Sequence, residues 1–133
     1  MFTYQMRVPY SDMTAGNHVY YSRYLEWLEA SRTEAFREMG AALEEYQTKK
    51  KLMFPVLECL LKFNKAARYD DIIDIRSWFA EVGKVKFFWE YEVVRGEDIL
   101  VDARTLHVCT SFDEKPQRMP ADLLAKMKTH IRE

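Results

Sequence analysis

At Met53 the spacing of apolar residues changes from steps of three and four to steps of two, and this change constrains the fold more than any other feature. Upstream, Tyr21, Leu25, Leu28, Arg32, Ala35 and Met39 fall on one side of a helix predicted from Ser22 to Met39, with Gly40 placed to cap it. Tyr24, Trp27, Ser31 and Phe36 widen that side into a broad band, as expected of a helix nested against a sheet rather than washed by solvent. Residues 2–9 read as a short strand, Asp12 to His18 as a turn using Gly16 and Asn17, and Ala41 to Lys50 as a polar excursion.

Downstream, strands are predicted over Met53–Lys65, Ile72–Val82, Val85–Arg95 and Ile99–Ser111. Ile73, Ile75, Ser77 and Phe79 alternate with Ile72, Asp74, Arg76 and Trp78, so one face is apolar and the other mixed. Short connections at Val82–Lys84 and Gly96–Asp98 predict antiparallel hairpins. One long helix followed by four long strands is an α+β plan, with the helix packed on one face of an antiparallel sheet. The mixed face still carries Ile72, Trp78 and Phe88, which predicts a partner subunit over it. The other candidate cover is the C-terminal segment, whose Leu123, Leu124, Met127 and Ile131 predict a small amphipathic helix.

A length of 133 residues suits one domain, expected to span residues 1–133. Twenty basic against twenty-one acidic residues argue against broad electrostatic binding to nucleic acid. No stretch has the length and apolarity of a membrane span, and MFTYQMRVPYSD has no signal-peptide h-region, so the expected location is cytoplasmic. Cys59 and Cys109 lie in apolar runs without metal-ligand spacing and read as free buried thiols. No glycine-rich phosphate loop or His/Cys/Asp cluster is present, which predicts no nucleotide cofactor and no metal.

The stretch VPYSDMTAGNHVYYSRYLEWLEASRTEAFREMG, residues 8–40, carries the most specific information. With KFNKAARYDDIIDIRSWF, the hairpin from Glu81 to Arg95, and ARTLHVCTS, it resembles the hotdog-fold acyl-CoA thioesterases of the 4-hydroxybenzoyl-CoA thioesterase type, including those associated with the Tol–Pal system. In that family the turn before the long helix commonly reads Asp-x-Asp-x-x-Gly-His-Val. Asp12 matches the first aspartate, Thr14 falls where the catalytic carboxylate usually stands, and Asn17 takes the place of the glycine. His18, Val19 and Tyr20 continue the pattern.

The resemblance implies a hotdog fold, an acyl-CoA or acyl carrier protein substrate, and a homodimer or homotetramer. It implies hydrolysis through Asp12, Thr14, Asn17, His18, Tyr21 and Arg32. Thioesterases of enediyne biosynthesis look similar here and also lack the carboxylate. On that pattern Thr14 or Asn17 orients water, Asp12 or His18 is eligible as base, and the main-chain N–H near Tyr21 holds the oxyanion. Each residue also has a bland role: Asp12, Thr14 and Asn17 as turn residues, His18 as a structural histidine, Arg32 in a buried ion pair, His107 as a packed histidine. Lys65, Arg68, Lys84 and Lys86 are the candidates for the coenzyme A phosphates, or else solvated cations beside turns. The competing function is a catalytically silent hotdog protein that binds acyl-CoA or scaffolds a partner.

Overall fold

The computed structural model describes residues 1–132. Five antiparallel strands form one sheet in the order β1-β4-β5-β6-β3: β1 (Phe2–Arg7), β3 (Val56–Phe63), β4 (Ile72–Val82), β5 (Lys86–Arg95) and β6 (Asp98–Val108). Two short strands, β2 (Leu52–Met53) and β7 (Thr110–Ser111), pair separately. The long helix α1 (Arg23–Glu38) packs on one sheet face, with α2 (Leu43–Lys49) and α3 (Ala121–Lys128) closing one end of the core. No helix among the described residues is long and apolar enough to cross a membrane.

The alternation in β4 and β5 sets the faces as expected. Ile73, Ile75 and Phe79 are buried beside Phe87, Trp89, Tyr91 and Val93, while Asp74, Arg76, Glu90 and Glu92 point to the other side. Trp89 sits at the centre of the core, with the rings of Phe2, Phe36, Phe79, Phe87 and Tyr91 at centroid distances of 4.4–6.3 Å. Buried rings of this size dominate core energetics, each pair adding about 0.5–1.5 kcal/mol beyond its area.

The helix ends as Gly40 predicts. Gly40 takes φ 71, its N–H donates to Arg37 O at 2.9 Å, and Ala41 N–H donates to Phe36 O at 2.9 Å. Those two bonds form a Schellman cap. The buried stripe is rotated from the one predicted: Tyr24, Trp27, Leu28, Ser31, Ala35 and Phe36 face the sheet, while Tyr21 and Leu25 are exposed. Tyr21 lies before the first helical turn, so the 3.6-residue period does not govern its direction.

Two further expectations are corrected. The strand predicted over Met53–Lys65 is split, because Pro55 has no N–H for a ladder and Met53 turns away to pair with Thr110. Cys59 is exposed rather than buried, since β3 is an outer strand; both thiols are free. The mixed face is partly covered by its own chain: Arg104 lies 3.9 Å over the Phe88 ring and Arg132 4.1 Å over Trp78. The C-terminal helix itself packs elsewhere, burying Leu123 and Met127 in the core. Ile72 on that face stays 49% exposed, and a run of open apolar surface lies along β3, where Val56, Leu57, Leu60 and Phe63 are 44–67% exposed.

Candidate active site

The connection from β1 to α1 makes a single 3-10 turn at Tyr10–Asp12 and then a tight loop closed by a Met13–Val19 bridge. Thr14 N–H donates to His18 O at 2.9 Å across it, and Asn17 supplies the positive φ of 52 at its tip. Gly16 takes no positive φ. Its role is room: a Cβ there would stand 2.9 Å from the His18 ring. The loop is tied to the segment after β3 by Val19 N–H to Ala67 O (2.9 Å), Arg68 Nη1 to Asn17 O (2.8 Å) and Ala67 N–H to Tyr24 Oη (3.0 Å).

These ties leave a cleft of about 460 Å³ between the start of α1 and the end of β3, lined by Thr14, His18, Tyr21, Tyr24, Phe63 and Lys65 among others. The Thr14 hydroxyl lies 3.2 Å from His18 Nε2, 3.4 Å from Nδ1 and 3.2 Å from the His18 carbonyl. It has one proton for two acceptors, so it can turn toward the ring or away from it. Tyr20 N–H is taken by Asp12 O at 3.0 Å, and Arg23 N–H by Tyr20 O at 2.9 Å. The Tyr21 amide between them has no backbone acceptor among the described residues. A free amide just ahead of a helix's first turn, close to the positive end of its dipole, is an anion-holding group.

Asp12 stands apart from this cleft. Its side chain is buried and accepts from Trp27 Nε1 at 2.8 Å, with Arg23 Nε at 3.8 Å. The carboxylate therefore clamps the turn to the helix. Asn17 also faces elsewhere, into an outer groove with Tyr10 and Tyr69. Arg32, two turns further along α1, has no carboxylate partner among the described residues: its Nη1 donates to Tyr91 Oη at 3.1 Å, where an ion pair was expected. His107 is packed and 2% exposed, and burial pushes its pKa down to about 4.

The four candidate cations divide into two pairs. Lys65 lines the cleft, bonded to Asp98 at 2.9 Å, and Arg68 borders the loop. Lys84 and Lys86 flank the β4–β5 turn at the other end of the sheet, roughly 35 Å away along eleven strand residues. Tyr24 also lines the cleft, and so do Phe63, Asn64 and Ala66, whose place there no local pattern announces. Only the fold brings the end of β3 to the start of α1.

Residues 16–101 match the thioesterase superfamily. The chain belongs to that superfamily. The acyl-CoA thioesterase YbgC of Haemophilus influenzae is 28% identical over 125 residues, 93% of this chain and 92% of that protein. A probable thioesterase from Bartonella henselae superposes with a TM-score of 0.85 at 28% identity, covering 89% of this chain and 98% of the other. A 4-hydroxybenzoyl-CoA thioesterase in complex with 4-hydroxybenzoyl-CoA shares the fold, with a TM-score of 0.87 at 22% identity over 94% of this chain and 96% of that one. The architecture is the hotdog fold of these thioesterases, a long helix wrapped by an antiparallel sheet.

Proposed function

We propose that this thioesterase-superfamily protein hydrolyses an acyl thioester of coenzyme A, or of an acyl carrier protein, in the cleft at the start of α1. The observation that carries the reading is the Thr14–His18 pair, 3.2 Å apart beside the free Tyr21 amide. The thioester carbonyl oxygen points at the Tyr21 N–H. A water held by Thr14 Oγ1 attacks the carbonyl carbon while His18 takes its proton. The negative charge that develops on the carbonyl oxygen is met by the amide and the helix start, where one good donor typically contributes about 3 kcal/mol. The intermediate collapses with cleavage of the C–S bond, and the departing thiolate takes the proton back from His18.

Asp12 is assigned to architecture in this scheme, because its carboxylate is occupied by Trp27. Asn17 shapes the loop through its positive φ and its carbonyl bond to Arg68. Lys65 and Arg68 are the cations nearest the cleft for the carrier's phosphates; Lys84 and Lys86 are too distant within one protomer. A cytoplasmic setting suits two free cysteines. A homodimer is the expected assembly, formed along the open edge of β3.

The test is thiol release from short, medium, long and aromatic acyl-CoAs, with carrier-bound acyl groups included. His18→Asn is expected to lower kcat/KM by roughly 10²–10⁴, the usual contribution of an acid–base group, and Thr14→Ala by about tenfold. No release from any substrate, with acyl-CoA still bound, would leave the silent binding protein as the reading.

A further inference from the structure

The end of the sheet away from the cleft gathers positive charge. Segments 49–53, 81–86 and 110–118 carry Lys49 to Lys51, Lys84, Lys86, Lys115 and Arg118 against Glu81, Asp113 and Glu114, in a chain whose net charge is -1. The fold brings these distant segments together. Lys51 leads into β2, which pairs Leu52 with Ser111 and Met53 with Thr110. Cys109 N–H donates to Val85 O at 2.8 Å and Met119 N–H to Lys84 O at 2.9 Å, so the β4–β5 turn lies against the same loop.

Ion pairing uses little of this charge. Lys50 reaches Asp122 of α3 at 3.9 Å, and Lys115 reaches Asp113 at 3.7 Å. Lys49, Lys51, Lys84, Lys86 and Arg118 are exposed and make no ion pair among the described residues. Cations left open in this way attract a polyanion.

Beside them stands an exposed ring. Ser111 N–H donates to Lys115 O at 2.9 Å, Glu114 N–H donates to Ser111 O at 3.1 Å, and Glu114 takes φ 64, which closes a tight turn. Phe112 lies on that turn, 53% exposed, with Lys51 Nζ 5.9 Å from the centre of its ring. Residues 112–118 are exposed without a break, so the loop forms a ridge and not a socket. Of the two acids beside the ring, Asp113 is held by Ser111 and Lys115, which leaves Glu114 as the open one.

A single exposed apolar residue is ordinary, and so is a solvated run of lysines. Their coincidence on one ridge narrows the partner. An acidic protein would have to supply a shaped pocket for the ring. The interface of an anionic bilayer supplies phosphates, with an apolar layer directly beneath them, at every point of its surface. We propose that this end of the molecule binds the surface of an anionic phospholipid bilayer, with Phe112 seated among the headgroups and the lysines around it on phosphates. Nothing in this surface depends on the chemistry proposed for the cleft.

The test is cosedimentation with vesicles of phosphatidylcholine alone, and with vesicles in which about one-third of the lipid is phosphatidylglycerol. Binding is expected only to the second kind, and should be lost at about 0.5 M salt, where charges are screened within a few ångströms. A lysine near such a surface is worth roughly fivefold in partitioning, so Lys49→Gln and Lys51→Gln together should weaken binding by about 25-fold. Trp27, Trp78 and Trp89 are buried, so an indole placed by Phe112→Trp should be the one that responds, its emission shifting to the blue with phosphatidylglycerol vesicles alone. The altered positions are all exposed, and urea unfolding of each variant should match wild type, which separates lost binding from a lost fold. No sedimentation with phosphatidylglycerol vesicles at low salt overturns the proposal, and so does binding indifferent to the two glutamines. Binding that needs the lysines, gives no blue shift and survives Phe112→Ser undiminished overturns the bilayer as partner, and leaves an electrostatic surface of the kind an acidic protein would use.

Discussion

At the scale of single residues, Asp12 and Gly16 divide the loop into a clamp and a proposed catalytic arm. Asp12→Ala leaves Trp27 Nε1–H buried without its acceptor, which should lower stability by about 1–3 kcal/mol in urea unfolding. Asp12→Asn keeps an oxygen for Trp27 and should lose less. If Asp12→Asn instead abolished thiol release with stability unchanged, the carboxylate would be the base and not the clamp. Gly16→Ala tests the other half of the loop. The new Cβ would meet the His18 ring at 2.9 Å, and that exposed ring is free to swing aside. Stability should then change little while kcat falls, by up to about a hundredfold if the ring moves an ångström. Loss of stability with unchanged kcat would count against His18 as base. His107 gives a pH prediction. Its native pKa is held near 4, below the ordinary 6.5, so the native state resists the proton that the unfolded chain accepts. The stabilisation from keeping it neutral is therefore complete above about pH 6.5 and fades as pH falls toward 4. Between pH 7.5 and 4.5 the wild type should lose roughly 2–3 kcal/mol more than His107→Gln, measured by urea unfolding at both pH values.

At the scale of elements, what was legible followed from periodicity, and what was not depended on contacts across the chain. The long helix with its glycine cap and the hairpins of β4, β5 and β6 are local patterns, and each lies within a few residues of its predicted position. The α+β plan followed from their order. The split between β2 and β3 was also written locally, in Pro55, but the apolar run around it outweighed one residue. The candidate site was legible as a loop because its motif is contiguous, whereas the role of each side chain was not. Asp12 acquires its function from Trp27, fifteen residues away, and Arg32 acquires its own from Tyr91, fifty-nine away. Thr105 and His107 share a sheet face by the two-residue period, so a signal existed, yet nothing in one strand says which helix residue meets it. The tie between α2 and α3 is of the same long-range kind. Tyr46 Oη donates to Asp122 Oδ2 at 3.1 Å, and burial together with that carboxylate pushes the Tyr46 pKa up to about 12. Tyr46→Phe should cost about 1 kcal/mol and loosen α3 selectively, read as faster amide exchange over 121–128 than in the central strands. Uniformly faster exchange would mean that α3 has no independent opening.

At the scale of the whole molecule, the unresolved tension is the edge of the sheet. β1 protects one side of β4, but β3 presents its outer backbone groups and 44–67% exposed Val56, Leu57, Leu60 and Phe63 to solvent. A long apolar edge of this kind invites strand pairing, and isolated proteins usually blunt it with charge or proline. Pro55 precedes the strand, and within it Glu58 and Lys62 are the only charges, so the blunting is incomplete. A second copy resolves the tension by symmetry, since an antiparallel β3–β3 pair repeats each contact about a two-fold axis. It would also bring the partner's edge beside the proposed active-site cleft, because Phe63 belongs to both surfaces. Leu60→Lys and Leu57→Lys together set two like charges against two more across that axis. Light scattering should report a dimer for the wild type and a monomer for the double variant, with kcat/KM falling along with the assembly even though neither residue lines the cleft. A dimer that survives both lysines would put the interface elsewhere. Full activity in a monomer would show that each chain completes its own cleft.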